Sequence, residues 1–305
     1  MSVLTVQNLV KDYGVVKALK DVSFDVPAGA VFGILGPNGS GKTTLLGIVM
    51  DVLKATSGSY FWNGQQSSAA QRRKIGTLLE TPNFYSYLSG QKNLEIAAAI
   101  KGCDVNDIDR VLKIVNLHER RNSAFNTYSL GMKQRLAIAS TLLGNPTTLV
   151  FDEPTNGLDP AGIAEIRELI KQLNREGKTI IMASHILDEV EKVCTHVAIL
   201  QQGVLKTTGS VSEVLQTSLH TDEILIQISS DNIAELVNVI TKMSGYKQHK
   251  VDADDVKLYC DAITSPQQIN KYCFENGVTL SKLAPQKKNL ETRFLEITGN
   301  GSQNQ

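Results

Sequence analysis

The sequence predicts an α/β fold: a mainly parallel β-sheet covered by helices, followed by a smaller α+β module. Three observations carry this expectation. Residues 148–151 and 179–183 are apolar strand segments joined by one long helical stretch, and a crossover of that length forces the two strands to run parallel. Residues 31–35, Val-Phe-Gly-Ile-Leu, form a third short apolar run suited to a buried strand, and it leads through a glycine-rich turn into helical character over 44–50. After about residue 215 the pattern restarts as a separate alternation of strands and helices.

Taken in order, the opening third alternates short apolar runs with turns, giving strands at 4–9, 22–26, 31–35 and 60–62. From about 88 to 143 the spacing turns helical, with Val105, Ile108, Val111, Leu112 and Val115 on one face, so a helical subdomain of about 88–145 is inserted here. Strands resume at 148–151, 179–183 and 197–200. The helix between the first two is well punctuated: Asp159 caps it, Pro160 fits its first turn, Ile163, Ile166, Ile170 and Leu173 make its stripe, and Gly177 ends it. The expected domain division is 1–215, then an accessory domain at 216–298. The latter reads as strand 223–228, helix 232–243, strand 256–260, helix 266–276 and strand 278–283. Residues 299–305, Gly-Asn-Gly-Ser-Gln-Asn-Gln, hold nothing apolar to bury and read as a frayed tail.

Composition narrows the function classes. The chain has 305 residues with 31 basic and 31 acidic side chains, so it lacks the basic excess that wraps nucleic acid nonspecifically. Cys103, Cys194, Cys260 and Cys273 are widely spaced without a C-x-x-C pair, which argues against a zinc site or a disulfide framework and for a reducing compartment. The N-terminus has no apolar core behind a basic flank, and no run of about 18 apolar residues occurs, so the chain is expected neither to be secreted nor to span a bilayer unaided.

The chemistry concentrates in four places. Residues 36–44, GPNGSGKTT, fit G-x-x-x-x-G-K-[ST] between a strand and a helix. Gly36, Gly39 and Gly41 let successive amides converge on a polyanion at a positive helix N-terminus. Lys42 adds a cation for β and γ phosphates, and the Thr43 hydroxyl is the expected magnesium ligand. Residues 148–153 end an apolar strand in two carboxylates: Asp152 is placed to hold magnesium, Glu153 to polarise the water that attacks the γ phosphate. His185 ends the 179–183 strand segment, where an imidazole can touch the γ phosphate; His118, His196, His220 and His249 read as structural. Ser129, in YSLGMKQRLAI, precedes a basic first helical turn and can cap it, leaving an N-terminus able to bind an anion.

Together these motifs resemble the nucleotide-binding subunit of an ABC transporter, over roughly residues 3–215 and in the family's order. GPNGSGKTT is similar to Walker A, implying nucleotide contacts from Gly36, Pro37, Asn38, Gly39, Ser40, Gly41, Lys42, Thr43 and Thr44. TTLVFDE resembles Walker B, YSLGM the signature with Ser129 and Gly131, NGLD the D-loop with Asp159, and His185 the switch histidine. Tyr13 matches the aromatic that stacks on adenine. Two departures stand out: Leu130 and Met132 replace a glycine and the glutamine of LSGGQ, and Glu80 stands where the family carries its Q-loop glutamine, a carboxylate still able to meet magnesium. Both are similar to subunits that serve ABC-2-type permeases in the bacitracin-resistance-like group, as is the C-terminal extension with LETRFLEITG.

The resemblance implies a P-loop ATPase with an antiparallel β subdomain beside its parallel sheet, ATP and Mg2+ as cofactors, and Glu153 and His185 as the catalytic pair. It also implies a second copy packed head to tail, most simply as a homodimer, and separate transmembrane permease subunits, which place the chain at the cytoplasmic face of the membrane. The alternative is an ABC-type ATPase acting on ribosomes or nucleic acid without transport. One phosphate loop and no sustained heptads weigh against it.

Overall fold

The computed structural model describes residues 1–79, 83–216, 223–252, 255–261, 263–286 and 289–299. These divide into two units, Met1–Val211 with the described residues from Ile297, and Ser212–Glu296.

In the first unit, β1 (Ser2–Tyr13) and β2 (Val16–Pro27) form a long antiparallel hairpin, followed by β3 (Val31–Leu35) and α1 (Lys42–Val49). Next come β4 (Ser57–Trp62), β5 (Gln65–Gln66), α2 (Ala69–Arg72) and β6 (Ile75–Leu78). The inserted helices α3 (Gly90–Lys101), α4 (Asp107–Ile114) and α5 (Leu130–Leu142) lead to β7 (Thr148–Asp152), α6 (Pro160–Arg175) and β8 (Thr179–Ser184). The unit continues with α7 (Leu187–Val193), β9 (His196–Gln201) and β10 (Val204–Ser210) before α8 (Val211–Gln216).

Two sheets result. One is antiparallel, ordered β2-β1-β4-β5, and the other has six strands ordered β10-β9-β3-β8-β7-β6. Within the larger sheet only β10 runs antiparallel to its neighbour. Every residue of β3, β7 and β8 is buried, as expected where helices cover both faces of a parallel sheet. The single tryptophan, Trp62, is 1% exposed in the core and its indole N–H donates to Val49 O at 3.0 Å, tying the antiparallel sheet to the C-terminal end of α1.

Local chemistry sets the helix ends. Asp159 Oδ1 accepts from Gly162 N–H at 2.9 Å at the start of α6, Pro160 occupies its first turn, and Ile166, Leu169, Ile170 and Leu173 are buried. Ser89 and Ser129 cap α3 and α5 in the same way. At the far end of α5, Lys101 Nζ donates to Ser140 O at 2.6 Å and Arg110 Nη2 to Leu142 O at 3.0 Å, so two cations meet the negative end of that helix. One expected stripe residue departs from the pattern: Val105 precedes α4 and is exposed, while Ile108, Val111, Leu112 and Val115 are buried.

The second unit contains β11 (Glu223–Ser229), α9 (Ile233–Ile240), β12 (Tyr246–Asp252), β13 (Asp255–Asp261), α10 (Pro266–Glu275) and β14 (Lys282–Gln286), and the chain then enters α11 (Leu290–Thr298). Its antiparallel sheet is ordered β12-β13-β11-β14, the split βαββαβ arrangement of ferredoxin-like modules. Ile226 pairs with Leu258 and Ile228 with Val256, and these join Leu236, Ile240 and Ile269 in the core of this unit. The strand expected at 278–283 lies four residues later, at Lys282–Gln286, and β12 has no counterpart in the sequence-based expectation. The tail from residue 300 is outside the described residues.

Candidate active site

The phosphate loop leaves β3 at Leu35 and turns into α1 at Lys42. Gly39 (φ 78°) and Gly41 (φ 106°) hold left-handed backbone conformations, and Gly41 stands at the N-cap of α1 with no side-chain cap. A side chain at Gly41 would also place its Cβ 2.6 Å from Ala18 O on β2, so glycine is required twice over. Ser40 Oγ is buried and has no hydrogen-bond partner among the described residues. Lys42 is 5% exposed. Its ammonium donates to Gly36 O at 2.8 Å and Pro37 O at 3.3 Å, and lies 3.5 Å from Glu153 Oε1.

The carboxylates arrive from the neighbouring strands. Parallel pairing sets Asp152 opposite Ala183, and Asp152, 6% exposed, ends β7. Glu153 follows with φ 48°, a left-handed conformation unusual for a residue with a side chain, and its N–H donates to Ala183 O at 3.0 Å. Its Oε2 meets His185 Nδ1 at 2.9 Å. Glu153 thus sits between the buried ammonium of the phosphate loop and an imidazole at the end of β8.

A cavity of about 480 Å³ opens beside this group, lined by residues 38–44, Glu153, Val16, Lys17, Ala18, Lys20 and Gln202. Three lysines against one carboxylate suit a polyanion. A larger cleft, about 610 Å³, lies between α4, α5 and α6, but its charges are spent on one another, Arg135 with Glu165 at 3.6 Å and Arg175 with Glu168 at 3.8 Å. The smaller cavity, with its surplus of positive charge, is therefore the candidate site.

Comparison with known proteins agrees. The family profile described as ABC transporter matches residues 19–156. The chain is 33% identical over 304 residues to the bacitracin transport ATP-binding protein BcrA of Enterococcus faecalis, covering 98% of this chain and 97% of that protein. The chain belongs to the ABC transporter family. Such a cassette binds ATP and hydrolyses it. A second relative, the lantibiotic transport ATP-binding protein SrtF of Streptococcus pyogenes, is 39% identical over 73% of this chain and 98% of its own length. Among solved structures, a dimeric ATP-binding cassette in a post-hydrolysis state with ADP and Pi superposes with a TM-score of 0.61 at 27% identity, covering 68% of this chain and 98% of that one. ABC ATPase subunits dimerise and work with transmembrane permeases.

The other described ABC motif residues do not line the cavity, although Tyr13 pairs across the β1–β2 hairpin with Val16, which does. Tyr13 ends β1, 46% exposed, with Lys11 Nζ 4.7 Å from its ring centroid. Ser129 accepts from Met132 N–H at 3.3 Å at the start of α5, and an added Cβ on Gly131 would meet open space. Leu130 is exposed, and a Cβ on Gly157 would lie 3.5 Å from its Cδ2, so the signature and D-loop segments adjoin. Asp159 acts here as a helix cap. Glu80 falls outside the described residues. Sequence reasoning passes over Lys17, Lys20 and Gln202, which reach the cavity from β2 and from the turn between β9 and β10; Gly203 marks a turn there, but no local pattern ties it to a ligand.

Proposed function

We propose that this chain powers export through a separate membrane permease, working at the cytoplasmic face as a homodimer that closes on ATP. The observation that carries the reading is the convergence of Lys42, Glu153 and His185 at the mouth of the phosphate loop. Two ATP molecules would each lie between residues 36–44 of one copy, with Pro37, Asn38, Ser40 and Thr44 supplying backbone and hydroxyl contacts, and Ser129, Gly131 and Asp159 of the other. Tyr13 would stack on adenine. Ser129 is exposed and does not line the cavity of its own chain, which favours such a two-copy site.

Among the described residues no cluster of three His, Cys, Asp or Glu side chains forms a metal cage. Two residues with hard oxygen donors support a magnesium site: Thr43 lines the cavity and Asp152 is a buried carboxylate. This fits Mg2+, which takes one or two protein oxygens and completes its shell with phosphate and water. Thr43, Asp152 and Glu80 would hold it, and when bound it neutralises charge on the β and γ oxygens. The protein's own part is then defined. Lys42 holds the phosphates, Glu153 accepts a proton from the attacking water, and His185 orients Glu153 and contacts the γ phosphate.

The named relatives are a bacitracin and a lantibiotic transport ATP-binding protein, so the proposed cargo class is a peptide antibiotic. Among the described residues no helix is long and apolar enough to cross a membrane. Copurification of the tagged chain from membranes with a multi-span protein, together with loss of peptide-antibiotic tolerance on deletion, is the expected result. Stable ribosome association without a membrane partner would overturn it. If Glu80 serves as the Q-loop residue, Glu80→Gln retains most ATPase activity; loss of turnover in a steady-state assay would reject that role.

A further inference from the structure

We infer that the turn between β9 and β10 is a brace for the phosphate loop, and that Gly203 is a positioning residue for ATP binding; this rests on the nucleotide reading of residues 36–44. Gly203 N–H donates to Ser40 O at 3.0 Å, and Gly203 O accepts from Lys20 N–H at 2.7 Å. One peptide segment thus links the phosphate loop to β2, the strand that passes within 2.6 Å of where a Gly41 side chain would begin. Gln202 (φ 50°) and Gly203 (φ 78°) form a two-residue hairpin turn between Gln201 and Val204, with the left-handed pair of conformations typical of type I′. A Cβ at Gly203 would lie 2.7 Å from Ala18 O and 3.2 Å from Lys17 O, both backbone atoms that cannot step aside. The brace therefore depends on the absence of a side chain. It fixes the Ser40 peptide, and with it the direction in which the loop's amides point. It also fixes the backbone of Lys20, whose residue borders the same cavity.

The test is Gly203→Ala in the full-length chain, compared with Gly177→Ala. Gly177 has φ 89°, but nothing lies within 4 Å of an added Cβ. It stands just before β8 begins, at the sheet end opposite the phosphate loop, because β8 runs parallel to β3 and Leu35 pairs with Ser184. Gly203→Ala should raise the Kd for Mg-ATP and the KM for hydrolysis together, by about 10–100-fold, with kcat near wild type because Glu153 and His185 hang on β7 and β8. Gly177→Ala adds only left-handed backbone strain, so it should lower the melting temperature less than Gly203→Ala does and leave Kd unchanged. Wild-type affinity in Gly203→Ala, or an equal loss of affinity in both variants, would overturn the brace. Should Gly203→Ala fail to fold, the wild-type protein still decides: by reciprocity, ATP must slow hydrogen exchange at the Gly203 and Lys20 amides and not at Gly177. Unchanged exchange at both would overturn the inference, whereas wild-type protein that binds no ATP at all would overturn the nucleotide reading itself.

Discussion

Glu153→Gln is expected to reduce ATP turnover by about 10²–10⁴-fold, the usual worth of a positioned general base. Glutamine matches the shape of Glu153 and keeps an oxygen near Lys42, but it cannot take a proton from water. The cradle, Lys42 and the Ser40 peptide are untouched, so nucleotide still binds. In the two-copy reading the variant accumulates as an ATP-bound dimer, since the step that reopens it is blocked. Single-turnover phosphate release and sedimentation with ATP check both halves. Phosphate release at the wild-type rate would remove Glu153 as base.

Lys42→Ala has the second large effect, and it falls on binding. The ammonium is buried, and the same nitrogen donates to Gly36 O and Pro37 O while facing Glu153. Removing it withdraws a charge-assisted contact of about 3 kcal/mol, or about a hundredfold in the Kd for ATP. It also leaves Glu153 without its nearest cation beside an incoming polyanion. Direct titration with labelled ATP measures the loss; wild-type affinity would contradict the cradle. The two variants separate cleanly: one binds and does not turn over, the other scarcely binds.

Residues whose burial is two-sided were the most legible. β3 matches the expected segment, and β7 and β8 extend theirs by one residue each, because a fully buried parallel strand reads as an unbroken apolar run. The ends of α6 were equally readable from Asp159, Pro160 and Gly177, each of which has a local chemical reason for its place. Strands defined by their partners escaped. β12, YKQHKVD, has no apolar alternation and exists through its pairing with β13. β10 holds Thr207, Thr208 and Gly209 and is set by β9. β14 was displaced because it contains Pro285, which argues against a strand unless that strand lies at a sheet edge, where β14 indeed lies.

The site divides the same way. Contiguous motifs announced residues 36–44, Asp152 and Glu153, and the structure sets Lys42, Glu153 and His185 side by side. Lys17, Lys20 and Gln202 reach the cavity from separate places in the chain, and nothing local to them signals a ligand. Only the packing of β2 and the β9–β10 turn against the phosphate loop brings them there.

Trp62 supplies a built-in optical probe. Its indole is enclosed and bonded to the last carbonyl of α1, the helix that the phosphate loop opens into, and the chain has no other tryptophan. If nucleotide at the loop shifts α1, emission excited selectively from indole changes on titration with ATP, and an unchanged spectrum would show that the helix end stays fixed. That emission is silent about Ser212–Glu296, which holds no tryptophan. A melt followed by fluorescence and another followed by far-ultraviolet dichroism would then diverge if the two units lose structure at different temperatures, and coincide if they melt as one.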